Sequence, residues 1–307
     1  MSATGRSGGA VSGEDLVLIA RLIADKDDLE TRLAQMIQGL RHTDVALPEP
    51  SANSFSLGVD GMELAFERAE PRLAANIVVT HFSGCDMVLT TGAPAVPDVF
   101  VSDMDSTMIG QECIDELADY ADLKEPIAAI TERAMQGEID FESALRERVA
   151  LLAGLEESAI ARCLDERIRP NPGARELVQR LKNEGARTVL VTGGFHHFAD
   201  VVADEIGFDR VVGNRLAVRD GKLTGELDGP VSDAATKARV LGEEMARLGE
   251  GATSLAIGDG ANDIPMIEAA TLGFAYKAKP KAKAAANGRI ESGDLANILP
   301  LLGLNRS

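Results

Sequence analysis

Tryptophan is absent from this 307-residue chain, tyrosine occurs twice and phenylalanine nine times. So few flat aromatic rings leave little surface on which nucleic-acid bases stack. Positive charge is also scarce: 31 Lys+Arg stand against 49 Asp+Glu, a formal net charge of -18. A field of that sign repels nucleic acid and anionic membranes, so neither is expected as a partner. An anionic small molecule needs a local concentration of positive charge. Cysteine is limited to Cys85, Cys113 and Cys163. An odd, widely spaced set is neither a disulfide framework nor a zinc motif, and reads as small buried hydrophobes in a reducing compartment. No apolar run approaches the roughly 20 residues that span a bilayer. The start, MSATGRSGGAVSGED, has no signal-type hydrophobic segment. Residues 1–14 read as a disordered Gly/Ser-rich tail, and the chain as cytoplasmic.

What is present is ordinary globular composition, 45% hydrophobic and 26% charged. The first 95 residues read as a small α+β domain of unknown role. Asp15–Ala24 is a short apolar run, and Asp28–Leu40 has helical spacing with Leu29, Leu33, Met36 and Ile37 on one face. Ser54–Leu57, Ile77–Thr80 and Met87–Thr90 look extended. GAPAVPD at 92–98 interrupts both helix and strand and reads as a linker, so a chain starting near Val96 is expected to fold and keep its chemistry. From 96 to 307 strands alternate with helices: VFVS at 99–102, TVLV at 188–191 and SLAI at 254–257 are the strands, and Arg215–Leu227 is a hairpin turned at Asp220-Gly221. That alternation predicts a parallel α/β sheet of Rossmann type. Residues 112–168 carry helical signals only and are too long for a loop, so they read as an inserted helical cap.

Each of those three strands runs directly into polar residues: SDMDST (102–107), TGGF (192–195) and GDGAND (258–263). Ligands of open parallel sheets bind outside the carboxyl ends of the strands. One site would therefore collect Asp103, Asp105, Thr192, Gly193, Asp259, Asn262 and Asp263. Converging carboxylates need a compensating cation, and magnesium takes such oxygen ligands beside a phosphate. Glycines let the backbone approach an anion, and Lys237 precedes the third strand. Taken singly, D-x-D occurs by chance in an acidic chain, GGF can be a turn, and GDGAND can be an Asp/Gly-rich loop. His196 and His197 read as helix-start or packing residues. The three segments in order are far more specific.

DMDST, TGG, Lys237 and GDGANDIPMI together resemble the haloacid dehalogenase superfamily of phosphohydrolases, and within it the phosphoserine phosphatases, over residues 97 to 290. The resemblance implies a helical cap on a Rossmann-like core. It implies Asp103 as nucleophile and Asp105 as general acid/base. Magnesium would be held by Asp103, the Asp105 main-chain carbonyl and Asp259, with Asp263 supporting it through the water shell. Thr192, Gly193, Lys237 and Asn262 would hold the phosphoryl group. Ser is more usual in the family at the position of Thr192.

The substrate that the resemblance implies, the small molecule O-phosphoserine, needs a cation for its carboxylate and an anion for its ammonium, and the resemblance places both in the cap. Arg148 offers a bidentate fork, and Glu112 offers the anion. Phe141 and Arg148, seven apart in FESALRERVALL, share a helix face, so Phe141 can shield the site. The function expected is phosphoserine hydrolysis in serine biosynthesis through an aspartyl-phosphate. The alternatives are another phosphatase or phosphotransferase of this fold, for example one using homoserine as acceptor, or a non-catalytic metabolite-binding regulator.

Overall fold

The computed structural model describes residues 17–42 and 47–306; the tail expected at residues 1–14 lies outside them. The N-terminal segment runs β1 (Leu18–Ile23), α1 (Lys26–Arg41), β2 (Ser51–Ser56), β3 (Asp60–Phe66), α2 (Pro71–His81) and β4 (Asp86–Thr91). The Asp25 carboxylate caps α1 by accepting the N–H groups of Asp27 and Asp28, two of the donors a helix start leaves orphaned. Leu29 and Met36 bury its apolar face.

Ile77–Thr80, expected as an extended piece, is the C-terminal half of α2 instead. Its β-branched run favours strand locally. The start signals override that preference: Pro71 stands in the first turn, and the Glu70 carboxylate accepts from the N–H groups of Arg72 and Leu73. Ala74 and Val78, four residues apart, then bury one face.

Beyond a coil at 92–98 the core begins with the fully buried β5 (Val99–Ser102). The cap follows as α3 (Cys113–Tyr120), α4 (Lys124–Met135), α5 (Phe141–Leu151) and α6 (Ser158–Arg167). The core resumes with α7 (Ala174–Asn183), β6 (Arg187–Phe195), α8 (His196–Ile206) and β7 (Arg210–Asn214). A hairpin, β8 (Leu216–Arg219) and β9 (Lys222–Leu227), turns with positive φ at Asp220 and Gly221. Next come α9 (Ala234–Leu248), β10 (Ser254–Gly258), α10 (Ile264–Ala269), β11 (Leu272–Tyr276), α11 (Pro280–Ala285), β12 (Gly288–Ile290) and α12 (Ile298–Leu301).

The core strands form a parallel sheet in the order β12-β11-β10-β5-β6-β7. β5 sits between β6 and β10, so the three motif-bearing strands are neighbours and their carboxyl ends open on one edge. The N-terminal strands are antiparallel, in the order β2-β3-β1-β4. They have a hydrophobic cluster of their own around Leu22, Met36, Phe66 and Phe82. They are not detached, however: β4 pairs antiparallel with β12, making one ten-stranded sheet. The buried Asp86 carboxylate at the start of β4 accepts from the N–H groups of Glu291, Ser292 and Gly293 and from the Asn297 amide. Among the described residues no helix is long and apolar enough to cross a membrane.

Candidate active site

β5 delivers Asp103 one residue past its last rung, where the residue is only 4% exposed. Its Oδ1 accepts the Met104 N–H at 2.7 Å and lies 2.6 Å from Lys237 Nζ. Its Oδ2 takes no hydrogen bond from the described residues. Lys237, in the first turn of α9, is fully buried and also reaches Asp263 Oδ1 at 2.6 Å. Burial works against its positive charge, but the two carboxylates outweigh it and hold the ammonium above its ordinary pKa. Two carboxylates share one ammonium, so a unit of negative charge is left over. Burial, then the charge of Asp263, accordingly push the Asp103 carboxyl well up despite Lys237.

Asp263 is spent on structure. Its Oδ2 accepts the N–H groups of Asp259 and Gly260, at 3.1 and 3.0 Å, and its Oδ1 faces Lys237. The carboxyl packs against the backbone of Gly258 so closely that any Cβ there would overlap it, which is why β10 must end in glycine. Asp259 is left with no side-chain partner from the described residues; burial and Asp263 raise its carboxyl.

Asp105 faces the same point. Its Oδ1 accepts the Cys113 N–H at 3.0 Å and its Oδ2 the Thr192 hydroxyl at 3.4 Å. Burial raises its carboxyl pKa, and these bonds only partly oppose the shift. Thr192, in the carboxyl-terminal half of β6 and fully buried, also accepts the Gly194 N–H on its hydroxyl at 2.8 Å.

The cap closes over this edge and leaves a cleft of about 420 Å³, which Asp103, Asp105, Glu112, Phe141, Arg148, Thr192, Gly193, Asp259 and Asn262 line together. Of the site residues expected from sequence, the buried Lys237 and Asp263 are not in its lining, and both touch Asp103 or its neighbours. The Phe141 ring overhangs Gly193: a Cβ there would lie 3.2 Å from its Cζ. Arg148 is half-buried, and no carboxylate of the described residues lies within salt-bridge distance; its Nε donates only to the Ala144 carbonyl at 3.3 Å. Glu112 accepts the Ser106 hydroxyl at 2.7 Å. The residue is exposed at the cleft mouth. Lost water contact around its carboxyl, and then Asp105, nevertheless push its pKa up to about 7. His196 pairs with Asp200 on α8 and His197 lies on the same first turn; neither lines the cleft.

Sequence reasoning missed two groups of residues. Lys279, on the turn before α11, lines the cleft rim and donates its backbone N–H to the Asp259 carbonyl. Buried Asn214 and Ser232 brace the end of β6. Neither belongs to a recognisable motif, and both reach the site only through topology.

Carboxylate oxygens of Asp103, Asp259 and Asp263 lie within 4.8 Å of one another. An all-oxygen, net-negative set fits a hard divalent cation. The commitments of Asp263 leave Asp103 and Asp259 as the available side-chain donors, and the Asp105 carbonyl accepts no hydrogen bond from the described residues.

Comparison with known proteins agrees with this geometry. Residues 100–268 match the family model of haloacid dehalogenase-like hydrolases. The phosphoserine phosphatase of Albidiferax ferrireducens is 46% identical over 205 residues, 65% of this chain and 86% of that protein. A probable phosphoserine phosphatase from Vibrio cholerae superposes with a TM-score of 0.74 at 30% identity, covering 94% of this chain and 86% of its own. A phosphoserine phosphatase solved as its phospho-aspartyl intermediate analogue is 40% identical over 66% of this chain and 98% of its own, with a TM-score of 0.60. With the family model matched over more than half of its length, the chain belongs to the haloacid dehalogenase-like hydrolases.

Proposed function

We propose that the chain is a magnesium-dependent phosphoserine phosphatase, which hydrolyses O-phosphoserine to serine and phosphate as the last step of serine biosynthesis in the cytoplasm. One observation carries the choice of substrate. The half-buried, unpaired Arg148 guanidinium and the Glu112 carboxylate face one cleft with Asp103 and Asp105. A phosphate monoester bearing both a carboxylate and an ammonium satisfies all of them at once. An alkyl or sugar phosphate would leave the half-buried guanidinium without a carboxylate to pair with.

The chemistry divides among residues already described. Asp103 Oδ2, which takes no hydrogen bond from the described residues, attacks phosphorus; the bond from phosphorus to the seryl oxygen breaks, and an aspartyl-phosphate forms. Asp105, whose carboxyl burial keeps protonated more readily than usual, gives its proton to the departing seryl oxygen. It then takes a proton from the water that hydrolyses the acyl phosphate, which returns Asp103 to a free carboxylate. Lys237, the Thr192 hydroxyl, the Gly193 N–H and the Asn262 amide hold the phosphoryl oxygens. Asp103, Asp259 and the Asp105 carbonyl, with Asp263 behind them, would hold magnesium, which would supply positive charge to offset the phosphate and these carboxylates. Phe141 covers the reacting centre from the cap side.

The deciding experiment is phosphate release from a panel of monoesters with magnesium present. O-Phosphoserine is expected to have the highest kcat/KM by at least tenfold. If a sugar or nucleotide phosphate exceeds it, the substrate reading is lost. If added homoserine diverts the phosphoryl group from water, the reaction is transfer.

A further inference from the structure

Asn214 and Ser232 lie outside the motifs, yet both donate to the strand end that carries Thr192 and Gly193. The Ser232 hydroxyl donates to the Thr192 carbonyl at 2.9 Å. The Asn214 amide donates to the Gly193 carbonyl at 2.7 Å and, more weakly, to the Ser232 carbonyl at 3.4 Å. The Asn214 side-chain oxygen accepts the Ser232 N–H at 2.8 Å, closing the pair. Asn214 is 1% exposed and Ser232 3% exposed.

The covalent geometry gives these bonds their meaning. A peptide group is planar, so fixing its carbonyl fixes the direction of the N–H at its other end. The Thr192 carbonyl shares a plane with the Gly193 N–H, which faces the phosphoryl site in the mechanism above. The Gly193 carbonyl shares a plane with the Gly194 N–H, which holds the Thr192 hydroxyl at 2.8 Å. Each bracing bond therefore sits at the far end of a peptide whose near end serves the phosphate. Donation to a carbonyl also polarises the peptide and strengthens its own N–H as a donor. The register of β6 against β7 is irregular between Val191 and Phe195, so the regular ladder does not hold this stretch.

We infer that Asn214 and Ser232 are positioning residues that aim the Gly193 N–H and the Thr192 hydroxyl at the phosphoryl group. The inference rests on the phosphatase reading. It deepens that reading at the phosphate end of the site, which every monoester shares, and not at the head-group end.

The test uses the full-length, magnesium-loaded enzyme. Ser232→Ala removes one bracing donor with little change of volume. Asn214→Asp removes the other while keeping an acceptor for the Ser232 N–H. Each variant is assayed on O-phosphoserine and on an aryl phosphate, and calorimetry measures its affinity for inorganic phosphate. Misaligned phosphate donors should lower kcat/KM by about 10- to 100-fold. The loss should be equal for both esters, and inorganic phosphate should bind at least tenfold more weakly. A purely structural role predicts a lower melting temperature with unchanged phosphate affinity in the folded protein, and that result overturns the inference. Loss confined to phosphoserine also overturns it. Should Asn214→Asp not fold, Ser232→Ala alone decides. If the wild-type enzyme hydrolyses the aryl phosphate but not phosphoserine, the substrate reading fails while this comparison still stands.

Discussion

At the scale of single residues, the buried triad makes Asp103→Asn informative. Two carboxylates and one ammonium carry an excess negative charge in a dry site, and the amide removes it. The fold should therefore survive, with a melting temperature no lower than wild type by more than a few degrees. Turnover should vanish, because an amide oxygen is a far poorer nucleophile and a weaker metal donor. Retention of more than about a tenth of kcat, a barrier change under about 1.4 kcal/mol, would falsify the role of Asp103. Arg148→Ala and Glu112→Gln test recognition instead of chemistry. Losing the charge-assisted contact of Arg148 in a closed cleft should cost about 2–4 kcal/mol, or about 30- to 1,000-fold in kcat/KM for phosphoserine. An aryl phosphate lacks both head groups, so its hydrolysis should fall much less in either variant. Equal losses on both esters would reassign the two residues to cap closure. Glu112 adds a pH signature. Its carboxyl, raised to about 7 by burial and Asp105, is neutral below that pH and attracts the ammonium only above it. Magnesium held by Asp103 and Asp259 would offset the neighbouring carboxylates and draw the midpoint lower. The preference for phosphoserine over aryl phosphate should therefore rise with pH across about pH 5 to 7, and a preference flat across that range in the wild type counts against Glu112.

At the scale of elements, the cap is fastened to the core at one end. The Gly154 N–H donates to the Leu223 carbonyl, the Glu157 N–H to the Gly221 carbonyl and the Leu223 N–H to the Leu155 carbonyl, all within 2.9 Å. The β8–β9 hairpin thus grips the loop that ends α5, the helix carrying Phe141 and Arg148. Gly225 sits in that grip at φ +83°, where a Cβ would lie 2.9 Å from the Ala153 Cβ and 3.1 Å from the Ala150 carbonyl. Gly225→Val combines left-handed strain with a clash, a cost of about 2–4 kcal/mol. It should push α5 outward and lower phosphoserine kcat/KM by about tenfold or more, with a smaller effect on aryl phosphate. Unchanged kinetics on both esters would mean that the hairpin does not set the position of Arg148. The sequence announced this hairpin through Asp220-Gly221, and the three motif strands through short apolar runs that lead directly into polar segments. The cap was visible as a stretch without strand signals. Local pattern failed where tertiary burial decides: Ile77–Thr80 reads as strand by its β-branched residues, yet Glu70 and Pro71 start a helix whose Ala74 and Val78 find a core. It also failed for β12, three residues long, and for Asn214 and Ser232, whose partners lie 18 to 40 positions away.

At the scale of the whole molecule, the open question is whether the N-terminal strands are an appendage. The linker at 92–98 suggests a clean cut, but the sheet runs through it: β4 covers the edge of β12. Asp86 accepts three backbone N–H groups and the Asn297 amide. Arg21 on β1 donates to the Pro300 carbonyl at 3.1 Å, and the Arg306 N–H donates to the Leu57 carbonyl at 3.0 Å. A chain starting at Val96 loses all of these partners at once. Each hydrogen bond to the charged Asp86 contributes about 1.5–3 kcal/mol, against a total stability of about 5–15 kcal/mol. The bare β12 edge would also be a template for association. The shortened chain should therefore be aggregation-prone or melt well below the full protein, although every proposed catalytic residue is retained. Asp86→Ala isolates the cause without exposing the edge. It should lower the melting temperature by about 5–15 °C, at 2–4 °C per kcal/mol for a chain of this size, and leave kcat of the folded protein within about twofold, since Asp86 touches none of the catalytic groups. If the chain from Val96 melts with the full protein and Asp86→Ala is silent, the N-terminal strands are a separate unit whose junction adds nothing to the stability of the core.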